Sequence, residues 1–133
     1  FAGTGNLGLE ALSRGASKVY FADKSKDSLD IVKENIQKLG VEDLTVVINL
    51  TSDKALDKID ECANIIFLDP PYNKGLIQQS IENILAKNKL ADDGIIVAEH
   101  SKNETLKELP FQLELLKERI YGDTIVSIYK KVN

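Results

Sequence analysis

Residues 63–68, Ala-Asn-Ile-Ile-Phe-Leu, are nearly all apolar and run straight into Asp69-Pro70-Pro71-Tyr72. So short an apolar run is strand length, and apolar continuity without alternation is the pattern of a parallel strand covered on both faces. The prolines end it. Each locks its own φ, and Pro71 drives Pro70 out of the helical region, so the chain beyond the strand is extended and stiff. Open parallel sheets take their ligands at the carboxyl ends of strands, so this segment constrains both the fold and the place of a site.

The flanking sequence repeats the theme of short apolar runs separated by amphipathic stretches, the sequence form of β-α units on a parallel sheet. Leu7, Leu9, Ala11 and Leu12 predict a short helix stopped near Gly15, and residues 18–22 a strand ending on Asp23. Ser25 is placed to cap the next helix, with Asp27 in its first turn, Leu29, Val32, Ile36 and Leu39 on one face, and Gly40 at its end. A strand over 44–49 and a brief helix over 52–59 follow. Past the proline segment the pattern predicts a helix over 76–85, a buried strand over 94–99 and a short helix over 103–109 closed by Pro110. The last two strands, 111–120 and 124–132, have only Tyr121-Gly122-Asp123 between them, a link that permits a hairpin and forbids a parallel crossover. No internal repeat, low-complexity segment or linker interrupts the pattern, so residues 1–133 read as a single domain.

A hydrophobic content of 43% and a charged content of 29% over 133 residues are ordinary for a globular chain. No stretch approaches the ~20 apolar residues of a membrane span. With one cysteine, Cys62, and no signal-like start, a reducing cytoplasm is expected. The net charge of −4 argues against nucleic acid as a partner, since phosphate neutralisation draws on surplus Lys and Arg. Against that, the chain opens on Phe1-Ala2-Gly3, directly on a glycine loop that should follow a buried strand, so at least one strand and a basic segment are expected upstream.

Gly3-Thr4-Gly5-Asn6-Leu7-Gly8 fits G-x-G-x-x-G, whose glycines let the backbone turn tightly and approach a ligand at a helix N-terminus. Asp23 lies twenty residues past Gly3 at a strand end, where a carboxylate can accept hydrogen bonds from both ribose hydroxyls. The pair points to a nucleoside cofactor without saying which. NAD sites use the same loop and acid, and an ordinary strand-to-helix turn explains the glycines too.

Asp69-Pro70-Pro71-Tyr72 narrows the chemistry. An exocyclic base amine is a poor nucleophile, because its lone pair is delocalised into the ring. The Asp69 carboxylate and the Pro70 carbonyl can accept its two N–H groups, aim the nitrogen at a sulfonium methyl and stabilise the charge that develops. With a reference pKa of ~3.9 Asp69 is a poor base, so orientation and charge stabilisation are its expected roles. Tyr72 is expected to stack on a base that has left its helix. A strand ending in a proline turn is the plain structural explanation. Order along the chain favours the functional one: glycine loop, proline tetrapeptide, then hairpin. A parallel α/β sheet finished by an antiparallel hairpin is the class I S-adenosylmethionine-dependent methyltransferase arrangement, a Rossmann-like sheet here expected with its first strand missing or truncated.

The block Phe1-Ala2-Gly3-Thr4-Gly5-Asn6-Leu7-Gly8-Leu9-Glu10-Ala11-Leu12-Ser13-Arg14-Gly15-Ala16, followed by Phe67-Leu68-Asp69-Pro70-Pro71-Tyr72, resembles the bacterial small-subunit ribosomal RNA methyltransferase D family. The likeness continues through Ile95-Ile96-Val97-Ala98-Glu99-His100 and Tyr121-Gly122-Asp123. It implies S-adenosylmethionine as cofactor, guanine N2 of 16S ribosomal RNA as target and ribosomal RNA or the small ribosomal subunit as partner; apart from the resemblance, no membrane and a monomer are expected. By the same resemblance Gly3, Gly5 and Leu7, with Thr4 and Asn6 in the same loop, border the methionine part of the cofactor. Asp23 holds the ribose, Lys24 lies beside the adenine, and the residue on the adenine amine is one of Thr51, Ser52 and Asp53. Asp69, Pro70, Pro71 and Tyr72 are the catalytic set, with Asp69 also bordering the cofactor. An adenine-N6 or cytosine-N4 DNA methyltransferase is the alternative within this chemistry. An NAD-dependent oxidoreductase or a noncatalytic cofactor-binding module is the alternative outside it.

Other chemistry-bearing residues carry less. His100 has no partner at metal-ligand spacing and is expected at the surface or behind the site, past a strand end. Cys62 is expected as a loop or strand-edge thiol. Lys102, Lys107, Lys117, Lys130 and Lys131, spread among acids, read as solvated surface. Arg14 fits either a structural role or RNA contact.

Overall fold

The structure, a computed structural model, describes residues 1–3, 5–70 and 75–132. The chain divides into two compact units, Phe1–Lys58 and Ile59–Asn133. Among the described residues no helix is long and apolar enough to cross a membrane.

The first unit runs α1 (Asn6–Ser13), β1 (Val19–Ala22), α2 (Lys26–Leu39), β2 (Thr45–Ile48) and α3 (Ser52–Leu56). The strands pair in parallel, Val19 opposite Thr45 and Ala22 opposite Ile48. The Ser25 hydroxyl accepts from Ser28 N at 3.2 Å, satisfying one of the amides a helix start leaves unpaired, and Gly40 terminates the helix. Leu29, Val32 and Ile36 then recur on one face and bury with Phe21 of β1, with Leu9, Val19 and Val47 packed around them. Leu39, expected on the same stripe, is 61% exposed. It is the last residue of the helix, beyond the reach of the sheet it covers. The sequence expectation is one residue too long at each end of β2, and three too long at the end of α3.

The second unit runs β3 (Ala63–Leu68), α4 (Leu76–Ala86), β4 (Leu90–Ser101), β5 (Leu113–Tyr121) and β6 (Thr124–Lys131). Its four strands lie in the order β3-β4-β6-β5. β3 is parallel to β4, while β6 is antiparallel to both β4 and β5. The hairpin turns on Gly122 and Asp123, with Tyr121 opposite Thr124. Ile77, Ile81 and Ile84 of α4 and Leu90, Ile96, Ala98, Ile125 and Tyr129 of the sheet are buried.

Two expectations fail here. β3 is not covered on both faces: Leu68 is buried, but Ile65 is 48% and Phe67 36% exposed. Among the described residues β3 pairs only with β4 and is an edge of its sheet. No helix forms over 103–109 either. The amides of Lys107 and Glu108 donate to Gln78 Oε1 at 3.0 and 3.5 Å, and Gln78 Nε2 donates to the Glu108 carbonyl at 2.9 Å. A side chain of α4 thus takes up backbone groups that a helix would have paired internally.

Candidate functional site

The glycine loop closes on Asp23. Gly3 N donates to Asp23 Oδ2 at 3.2 Å and Ser25 N to Asp23 Oδ1 at 2.9 Å. The Asp23 amide donates to Ile48 O at 3.2 Å, and Ala2 N to Ala22 O at 3.0 Å, so the acid sits where loop, β1 and β2 meet. Each carboxylate oxygen accepts one backbone N–H and keeps a lone pair for a further donor. This is the arrangement a ribose diol needs: an acceptor whose direction is already set.

Two glycines of the loop are held to their identity by different constraints. Gly5 caps α1 with φ 84°, a left-handed conformation that L side chains rarely adopt. A Cβ at Gly8 would stand 2.4 Å from a ring carbon of Phe21, so α1 lies on β1 only because this residue has no side chain. Asn6 and Leu7 open α1, and both are exposed. Lys24 is exposed beside Asp23. Because Ala22 and Ile48 are register partners, Asp23 and the segment carrying Thr51, Ser52 and Asp53 leave the sheet at the same, carboxyl, end. Thr51 stands at the N-cap of α3 and Asp53 in its first turn, both exposed, with Ser52 half-buried. Thr4 lies outside the described residues.

In the second unit, Asp69 and Pro70 follow Leu68 at the carboxyl end of β3, with Asp69 exposed and Pro70 buried. Pro71 and Tyr72 lie outside the described residues. Leu68 pairs with Ala98, so Asp69 leaves β3 alongside Glu99 of β4. Loss of hydration first, and the Glu99 charge second, hold the Asp69 carboxyl above the usual carboxylate range. A carboxylate so placed accepts a hydrogen bond or a proton more readily than a fully hydrated one. Glu99 is half-buried, and the sequence reading passed over it as a site residue. The available signal was an acid at the carboxyl end of the next parallel strand.

His100 is not at the surface. It is 3% exposed and lies within β4, which runs on to Ser101. Its Nδ1 is 3.0 Å from the Ser101 carbonyl, which can only accept, so Nδ1 carries the proton. Nε2 lies 2.9 Å from Ser127 Oγ, a hydrogen bond that ties β4 to β6. Cys62 is exposed and donates to Asn88 O at 3.3 Å. Arg14 pairs with Glu10 at 2.8 Å on the open face of α1. Lys131 departs from solvated surface: its Nζ donates to Leu90 O at 3.0 Å and lies 3.5 Å from Asp92. Among the described residues no group of three His, Cys, Asp or Glu is placed to hold a metal ion.

A family model described as conserved hypothetical protein 95 matches residues 1–130. The chain is 35% identical over 136 residues to ribosomal RNA small subunit methyltransferase D of Haemophilus influenzae, covering 98% of this chain and 68% of that one. To the Escherichia coli K12 protein of the same name it is 30% identical over 131 residues, covering 98% and 66%. Among solved structures, a conserved hypothetical protein of Streptococcus pyogenes superposes with a TM-score of 0.91 at 33% identity, covering 99% of this chain and 82% of the other. The α/β arrangement, parallel strands completed by an antiparallel hairpin, is that of the class I S-adenosylmethionine-dependent methyltransferases. The chain therefore belongs to the conserved hypothetical protein 95 family, the group represented by ribosomal RNA small subunit methyltransferase D.

Proposed function

We propose that this protein is an S-adenosylmethionine-dependent methyltransferase that modifies the N2 amine of a guanine in 16S ribosomal RNA, with residues 1–133 serving as one catalytic domain. The observation that carries the reading is the place of Asp69 and Pro70, directly after Leu68 at the carboxyl end of a parallel strand, in a chain of this family.

Gly3, Thr4, Gly5, Asn6 and Leu7 hold the cofactor through loop backbone and the start of α1. Asp23, aimed by the Gly3 and Ser25 amides, takes the ribose hydroxyls. Lys24 borders the adenine, and one of Thr51, Ser52 and Asp53 meets its amine. Bound there, S-adenosylmethionine supplies an electrophilic methyl group on a sulfonium. Asp69 and the Pro70 carbonyl accept the two N–H groups of the target amine, which fixes the direction of its lone pair. Pro71 and Tyr72 complete the set, Tyr72 as the aromatic face for the base. As nitrogen gains positive charge Asp69 stabilises it, and the raised proton affinity of that carboxyl suits it to take the released proton. The protein acts as a monomer in the cytoplasm, where small subunits are assembled.

Incubating the full-length protein with labelled S-adenosylmethionine and small ribosomal subunits from a strain lacking the family enzyme tests this. The expected product is N2-methylguanosine in 16S ribosomal RNA. Label in an adenine or cytosine amine, or tighter binding of NAD than of S-adenosylhomocysteine, would overturn the assignment.

A further inference from the structure

The amine acceptors alone do not choose a base. Guanine N2, adenine N6 and cytosine N4 all present two N–H groups, and Asp69 with the Pro70 carbonyl would accept any of them. What differs is the neighbouring ring nitrogen. Guanine carries a hydrogen on N1, next to its amine, whereas adenine N1 and cytosine N3 carry a lone pair there.

Next to Asp69 the fold supplies a second carboxylate. Leu68 and Ala98 are register partners, so the residues one step on, Asp69 and Glu99, stand at the same end of neighbouring strands. Adjacent strands lie ~4.8 Å apart, a distance over which an Asp and the longer Glu can converge on neighbouring atoms of one base edge. Side-chain alternation puts Glu99 on the sheet face of Val97 and Phe67, opposite Val126 of β6. Half-buried there, it loses part of its hydration without leaving the rim. An ionised carboxylate only accepts hydrogen bonds.

We propose that Glu99 determines base specificity: its carboxylate accepts the N1–H of a guanine whose N2 amine is held by Asp69, and it repels the ring lone pair that adenine or cytosine presents at that place. The inference rests on the guanine-N2 reading above. The guanine edge brings a donor to each of the two neighbouring carboxylates. The like-charge influence of Glu99 on Asp69 reflects the same proximity. An adenine or cytosine edge satisfies Asp69 and leaves Glu99 facing a lone pair, the kind of mismatch that discriminates more strongly than any difference in apolar fit.

The test uses the full-length protein and small subunits reconstituted with RNA carrying either guanosine or 2-aminopurine riboside at the methylated position. 2-Aminopurine keeps the N2 amine but has a lone pair on N1. Wild-type protein is expected to prefer guanosine by about 100-fold or more in kcat/KM. Glu99→Gln, whose amide can donate to that lone pair, should lower transfer to guanosine by ~10-fold or more and narrow the preference by at least a similar factor. Its melting temperature and its affinity for S-adenosylhomocysteine should stay close to wild type, a pattern that a merely structural role would not produce. Equal transfer to both bases by wild-type protein overturns the proposal, and this arm needs no variant to fold. A preference unchanged in folded Glu99→Gln overturns it as well. Either result leaves the guanine-N2 reading standing, whereas absence of N2-methylguanosine with wild-type protein removes both.

Discussion

Asp23 and Asp69 occupy equivalent places, each immediately past the carboxyl end of a parallel strand, yet their surroundings are opposite in kind. Asp23 accepts backbone N–H groups on both oxygens, from Gly3 and Ser25, and so has a fixed direction. Asp69, though exposed, is instead pushed toward its protonated form by partial loss of hydration and by Glu99. Backbone donors stabilise a carboxylate and orient it without making it reactive. Lost hydration beside a like charge raises its appetite for a donor. The first suits holding a cofactor through many encounters, and the second suits meeting a nitrogen on which charge appears.

The comparison breaks most readily at Asp69. Asp69→Ala should lower methyl transfer by about 10³-fold or more while S-adenosylhomocysteine affinity stays within a few-fold, measured by radiolabel transfer and calorimetric titration. Asp23→Ala should do the reverse, weakening cofactor affinity by about 10- to 100-fold, the worth of charge-assisted hydrogen bonds to ribose, with the loss of rate recovered at saturating cofactor. Gly8→Ala tests the loop's footing: displacing the Phe21 ring should cost ~1–3 kcal/mol in denaturant unfolding. Ser25→Ala removes a helix cap and should cost about 1 kcal/mol.

The smallest effect is the sharpest in sign. A folded-state pKa above the unfolded one gives a contribution fully present below the unfolded pKa and lost as pH rises through the folded value, so ionised Asp69 weakens the fold at neutral pH. Asp69→Asn should then raise the melting temperature slightly near pH 7 and have no such effect at strongly acidic pH. If transfer requires Asp69 ionised, its rate falls as pH drops through that raised pKa. Glu99→Gln should move this acid limb to lower pH.

Much of this was legible in the chain. Helix α2 announced itself through Ser25, the spacing of Leu29, Val32 and Ile36, and Gly40, because capping and periodicity are local chemistry. The hairpin followed from the short link between its strands. The helix expected over 103–109 failed because Gln78, roughly thirty residues away, bonds the backbone there, and no local pattern carries that information. His100 stayed divided between the surface and a place behind the site for a related reason. A lone histidine past an apolar run looks exposed until Ser127 is known to stand opposite it on β6.

The candidate site divides in the same way. Residue types and their order along the chain were enough to point to the glycine loop, the acid after it and the proline tetrapeptide, since those constraints act through backbone geometry within a few residues. Glu99 became a neighbour of Asp69 only through the register of β3 on β4, a pairing between segments thirty residues apart in which a one-residue slip would carry the acid to the other face. The like charge of Glu99, the influence that sets Asp69 apart from Asp23, arises from strand register and exists only in the folded chain.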